Sequence, residues 1–221
     1  MIDQNCLQPI PPVFDECLDA MAAGLEQDGY VVVENLLPAE LLRGLLRHFK
    51  SMDDEQFSRA GIGREADYQV NGFVRTDEIH WLDGTHPLTA EYLQWMDRLR
   101  VGLNRRLFLG LFDYECHYAW YPQGAYYKTH LDTFAGTDTR VVSSVLYLNP
   151  AWQPGDGGEL LIYRPDQGAL LEKVEPVFGR LVLFLSAEFP HEVLPVNTPR
   201  YSLTGWFRKN NSLVDSIDPA R

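Results

Sequence analysis

The chain has 221 residues, 45% of them hydrophobic, with 31 Asp and Glu against 19 Lys and Arg for a formal charge of −12. That length and apolar content fit one domain with its own core and exclude a mostly disordered chain. The acidic balance argues against a general nucleic-acid binder and against a binder of anionic membranes, and it favours a basic protein partner. From Met1 to Cys6 no basic region precedes an apolar run, so no leader is expected. Cys6, Cys17 and Cys116 are too few and scattered for a disulfide scaffold or a Cys-rich zinc site, and they read as reduced thiols of a cytoplasmic protein. Leu181 to Leu185 is far too short to span a membrane.

In chain order, Phe14, Cys17, Leu18, Met21 and Leu25 recur at helical spacing, and Gly29 then stops the helix. Tyr30 to Val33 reads as a short buried strand. Pro38 suits a first helical turn, followed by the apolar face Leu41, Leu42, Leu45, Leu46 and Phe49. Asp53 to Gln69 is polar, holds Gly61 and Gly63, and reads as a long functional loop. Val70 to Trp81 alternates as two strands, and a third helix runs from near Pro87 through Leu107. Strands then dominate: 113–121, 140–148, 158–163, 180–185 and 200–208, separated by Pro- and Gly-rich turns. The expectation is one α+β domain, residues 1–221. Residues 1–110 supply helices packed on one sheet, 111–208 form a β-sandwich core, and 209–221 form a tail.

The chemistry concentrates in His130-Leu131-Asp132 and in His191, sixty-one positions after His130. Residues two apart on a strand share a face, so His130 and Asp132 can point together while His191 arrives from another strand. Alone, His-x-Asp is as readily a capped turn. Two imidazoles with one carboxylate are also the ligand set of non-heme Fe(II) oxygenases, which leave adjacent coordination positions open. Arg200 lies nine residues after His191 and shares a strand face with Ser202, Thr204 and Trp206. An inward guanidinium needs an anion, which is either an acidic side chain or a bound carboxylate. His48, His80 and His86 read as satisfied structural histidines, and Gly157-Gly158 as a turn rather than a phosphate loop because no helix follows.

Taken together, these strings resemble the 2-oxoglutarate- and Fe(II)-dependent oxygenases, specifically the prolyl 4-hydroxylases related to the hypoxia-sensing enzymes. The resemblance rests on Ala119-Trp-Tyr-Pro122, Tyr127-Lys-Thr-His-Leu-Asp132, Arg140 through Asn149, Gly157-Gly-Glu-Leu160, Arg180-Leu181, Pro190-His-Glu-Val193, and Arg200-Tyr201 with Trp206. Asp77 to Leu82 extends it thinly into the first half. His117 is a departure, standing at a position that is apolar in some relatives.

The resemblance implies a double-stranded β-helix, or jelly roll. It implies Fe(II) on His130, Asp132 and His191. It implies 2-oxoglutarate with its distal carboxylate on Arg200, helped by Tyr147 and Tyr121. Thr204, Val145, Leu160, Phe184, Val193 and Trp206 would line the pocket. Asp77 and Arg140 would pair on the substrate side, tying the substrate-contacting loop to the core. O2 is then a co-substrate, ascorbate a supporting reductant, and succinate and carbon dioxide the co-products. The implied partner is a protein carrying the target proline, with a translation factor such as elongation factor Tu as the candidate for a bacterial member. Oxygen sensing comes with the same resemblance, and a monomer is favoured. The rivals are an oxygenase of a small molecule, free amino acid or base, and a non-catalytic module that holds metal and 2-oxoglutarate.

Overall fold

The structure, a computed structural model, describes residues 12–60, 73–133, 139–166 and 168–210. Helix α1 (Pro12–Gln27) buries Phe14, Leu18, Met21 and Leu25, the stripe spaced at three and four residues. Gly29, at φ +77°, turns the chain into β1 (Tyr30–Glu34). Helix α2 (Ala39–Ser51) follows Pro38 and buries Leu41, Leu42, Leu45 and Phe49, while Leu46 is only partly buried. Helix α3 (Pro87–Leu107) has the bounds its spacing predicts. His86 caps it by accepting the Leu88 N–H at 3.2 Å, and Pro87 occupies the first turn, where no amide donor is needed.

The other strands are β2 (Ser58–Arg59), β3 (Glu78–Trp81), β4 (Leu111–Tyr121), β5 (Tyr127–His130), β6 (Arg140–Tyr147), β7 (Leu160–Tyr163), β8 (Leu170–Val174), β9 (Arg180–Leu185), β10 (His191–Val193) and β11 (Arg200–Lys209). Among the described residues they form two antiparallel sheets. The larger runs β1-β9-β6-β11-β4-β3-β2 and the smaller β5-β10-β7-β8.

β4 is buried along almost its whole length because both faces of the large sheet are covered. Tyr114, Cys116 and Tyr118 face the helices, in one cluster with Met21, Leu45 and Leu99. Ala119 and Tyr121 face the small sheet, in a second cluster with Leu160, Ile162 and Val193. The same alternation sends Leu203 and Phe207 of β11 to the helices and Arg200, Ser202, Thr204 and Trp206 to the other side. The space between the sheets is therefore where the polar inward residues collect.

Several expectations need correction. β1 is an edge strand of the large sheet and is partly exposed rather than buried. The segment from Asp53 opens as a 3-10 turn (Asp54–Gln56) and then pairs as β2 with β3, because Asp53 and Gln56 cap each other. Its remainder, 61–69, lies outside the described residues, as does the start of the strand pair expected from Val70. Strand β8 was not anticipated, since its exposed Leu170 and charged Glu172 and Lys173 mask the pattern. The first half is not only helical support, because β1, β2 and β3 extend the large sheet. β11 reaches Lys209, and 211–221 lie outside the described residues, as does Cys6. Among the described residues, no helix is long and apolar enough to cross a membrane.

Candidate functional site

β5 and β10 pair with His191 in register with His130, which brings the two imidazoles together with ring centroids 4.2 Å apart. Asp132 stands two residues on, just past the end of β5 rather than on it. The bend still turns its carboxylate inward: Oδ1 is 3.6 Å from His130 Nε2 and Oδ2 is 3.7 Å from His191 Nε2. One ligand atom from each of the three residues fits within a 4.8 Å spread, and Asp132 and His191 are buried.

The protonation states suit a cation. His130 Nδ1 lies 2.8 Å from the Lys128 carbonyl, and His191 Nδ1 lies 2.9 Å from that of Phe189. A carbonyl only accepts, so each Nδ1 carries a proton and Nε2 is the ring nitrogen that faces Asp132. Burial, with His130 alongside, pushes the His191 pKa down to about 4, so this imidazole is neutral at pH 7. Burial alone would raise the Asp132 pKa, but His191, His130 and Arg140 hold it well below the usual carboxylate range. Two imidazoles and one carboxylate converging on one point fit a divalent first-row metal.

The surroundings of Arg200 bear on the choice left by its sequence. It is 2% exposed and forms no ion pair with a carboxylate among the described residues. Its Nη1 donates to Ser202 Oγ at 3.2 Å, and its guanidinium lies 4.7 and 4.9 Å from the ring centroids of Tyr121 and Tyr147. Arg200 Nε and the Tyr147 hydroxyl are both buried without a hydrogen-bond partner among the described residues. A buried cation beside an unused donor is costly unless an anion completes it, and a carboxylate ligand has the matching geometry. Val145, Leu160, Phe184 and Val193 share one apolar cluster with Tyr121 and Tyr147, and the Phe184 ring meets His191 edge-on at 4.7 Å. Thr204 is in register with Val145 and His117 on the same face of the sheet.

The expected Asp77–Arg140 pair is not formed. Asp77 instead accepts two hydrogen bonds from Arg75, at 2.8 and 2.7 Å. Arg140 pairs with Glu115 at 3.0 Å, lies 3.5 Å from the Trp206 ring centroid, and reaches the Asp132 carbonyl at 3.5 Å. The reason is local: Arg75 and Asp77 are two apart on extended backbone and share a side, and Glu115 faces Arg140 from β4. Arg75 in turn lies 4.3 Å from the Tyr127 ring centroid, and Tyr127 stacks on His130 at 3.5 Å. Asp77 thus reaches the His130 ring through Arg75 and Tyr127. Sequence reasoning passed over Arg75, and it passed over Ser143, whose Oγ donates to Asp132 Oδ2 at 2.6 Å. The available signal was a serine on the same strand face as Val145 and Tyr147. His48, His80 and His86 are structural, bonded to Tyr118, the Gln56 carbonyl and the start of α3.

Residues 116–208 match the profile of the 2OG-Fe(II) oxygenase superfamily. A solved prolyl-4-hydroxylase from Pseudomonas putida is 44% identical, with a TM-score of 0.79 over 88% of this chain and 100% of that one. A prolyl hydroxylase from Trichoplax adhaerens, solved with a hypoxia inducible factor oxygen degradation domain peptide fragment, is 28% identical, with a TM-score of 0.77 over 89% of this chain and 91% of that one. Human Egl nine homolog 1 is 28% identical over 89% of this chain and 47% of its own length, so the chain spans about half of that relative.

Proposed function

Because the chain belongs to the 2OG-Fe(II) oxygenase superfamily, we propose that it hydroxylates a prolyl residue of a protein substrate, consuming 2-oxoglutarate and O2. The observation that carries this is the convergence of His130, Asp132 and His191 in an inter-sheet space that also holds Arg200, a buried cation with no anionic partner among the described residues. The preference for proline rests on the similarity to the P. putida prolyl-4-hydroxylase. The two stacked antiparallel sheets, with His130 and His191 paired on the smaller, support a double-stranded β-helix.

Fe(II) with bound 2-oxoglutarate supplies, when O2 arrives, the oxidation that places one oxygen on a C–H bond and the other in succinate, with loss of carbon dioxide. The chain's own residues bind, orient and shield. His130, Asp132 and His191 would hold the metal, each through one ligand atom. Arg200 Nε and the Tyr147 hydroxyl hold the distal carboxylate of 2-oxoglutarate, and the Tyr121 ring packs under the guanidinium. Val145, Leu160, Phe184 and Val193 keep water from this end, which strengthens each polar contact there. Thr204 and Trp206 complete the wall along β11. On the substrate side stand Asp77 and Arg140, each fixed by its own partner. Ascorbate would serve only to keep the metal reduced.

The test is a mass-spectrometric comparison of proteins incubated with the chain, Fe(II) and 2-oxoglutarate, using His191→Ala as control. Elongation factor Tu is included as a purified candidate. A single added oxygen on proline, absent with His191→Ala, is the expected result. Oxygen on another residue overturns the substrate class, and 2-oxoglutarate consumption without any protein product points to a small molecule.

A further inference from the structure

We propose that Ser143 and Ser186 form a buried hydroxyl relay that fixes the Asp132 carboxylate and so sets the metal affinity of the site. This rests on the reading of Asp132 as a metal ligand. Ser143 is an inner-face residue of β6 and Ser186 directly follows β9; both are fully buried. Ser143 Oγ donates to Asp132 Oδ2 at 2.6 Å, and Ser143 Oγ and Ser186 Oγ are 2.9 Å apart. Each hydroxyl has one proton, and a metal-binding carboxylate only accepts. Ser143 therefore spends its proton on Asp132, and Ser186 donates to Ser143. The relay runs one way, from Ser186 through Ser143 to the carboxylate.

The need for it follows from where Asp132 stands. His130 and His191 lie on paired strands, and backbone carbonyls fix the orientation of both rings. Asp132 lies past the end of β5, outside the ladder, so its carboxylate takes its orientation from side chains. The Ser143 bond occupies Oδ2 and disposes the group to serve as a one-oxygen ligand. Without it the carboxylate would be free to turn away from His130 and His191, which would weaken a metal held between them. Two fully buried hydroxyls that meet each other and the carboxylate are better accounted for by a positioning role than by space filling.

The test uses Mn(II), a redox-silent stand-in for Fe(II), titrated into the metal-free full chain and followed by the electron paramagnetic resonance of free Mn(II). Ser143→Ala is expected to weaken Mn(II) by about 10- to 100-fold. Ser186→Ala should weaken it less, and Ser143→Thr, which keeps the hydroxyl, should restore it. Near-UV circular dichroism of each metal-free variant checks its packing. A folded Ser143→Ala that binds Mn(II) like the parent overturns the proposal, as does a Ser143→Thr as weak as Ser143→Ala. Should Ser143→Ala not fold, the same titration of Ser186→Ala decides, and unchanged affinity there overturns the relay. Asp132→Ala separates the two readings. Retained Mn(II) binding in it overturns the metal site itself, and with it the relay. Lost binding there, with parent-like binding in both serine variants, overturns the relay alone.

Discussion

Gly158 shows how closely the backbone approaches the side chain that carries the functional argument. It sits at φ +76°, and a Cβ there would lie 2.8 Å from Arg200 Cδ and 2.7 Å from Val196 Cγ1. Gly158→Ala would meet both a strained backbone and a displaced guanidinium. The expected outcome is a raised KM for 2-oxoglutarate with Mn(II) affinity unchanged, measured by initial rates and metal titration. A parent-like KM would mean that Arg200 does not hold the co-substrate. At this scale the convergence of His130, Asp132 and His191 was legible in the sequence. His130 and Asp132 are two apart, and His191 and Arg200 stand near the ends of recognisable strands. What was not legible was the choice of partner. Asp77 had two arginines within reach of inference, and the nearer one, Arg75, won because it shares the same side of an extended segment. The serines behind Asp132 were hidden for a related reason: a hydroxyl reads as neutral until the fold shows what it faces.

At the level of elements, the helical layer supports the large sheet from behind, and the site depends on that support only indirectly. Leu99 of α3 is fully buried in the cluster that joins the helices to β4, β6, β9 and β11. Leu99→Ala is expected to cost about 2–5 kcal/mol through lost burial and the cavity left behind. Denaturant unfolding should show that loss, while kcat/KM below the melting range stays near the parent value. A large loss of activity without loss of stability would show that α3 shapes the site directly. The three helices and the long strands were legible because their apolar periods run through several repeats. The short or edge strands β2 and β8 were not, since half-exposed residues carry little pattern and pairing alone defines them. β4, β6 and β11 each carry one face toward the helices and another toward the site, and that two-sided burial is visible only once the layers are assembled.

For the molecule as a whole, the charges and histidines buried with the site tie stability to pH. His117, on the inner face of β4 between Trp81 and Trp206, has its pKa pushed down to about 4, chiefly by burial and further by Arg75. An unfolded histidine titrates near 6.5, so between these values the unfolded chain binds a proton that the folded one excludes. Stability is therefore full above about pH 6.5 and falls as pH drops toward 4, by roughly 3 kcal/mol from this residue. In the metal-free protein His191 adds a loss of the same sign. Urea unfolding at about pH 5 and pH 7 should show a shallower pH dependence in His117→Leu than in the parent. An equal dependence in both would remove His117 from the account. The two-sheet architecture with helices on one side was legible in the order of elements, helices first and strands after. The joining of β1, β2 and β3 to the large sheet was not, because pairing between residues so far apart in sequence leaves no local trace.

One site, built from His130, Asp132, His191 and Arg200, is proposed to couple 2-oxoglutarate breakdown to oxygen insertion at a proline. The test is a single-turnover reaction under isotopically labelled dioxygen, with Fe(II), 2-oxoglutarate and, in its unmodified form, the protein in which the mass-spectrometric comparison locates the added oxygen. The account predicts one labelled atom in succinate and one in hydroxyproline, in equal amounts, with both lost in His191→Ala. Unlabelled hydroxyproline, or hydroxyproline formed without succinate, would contradict it.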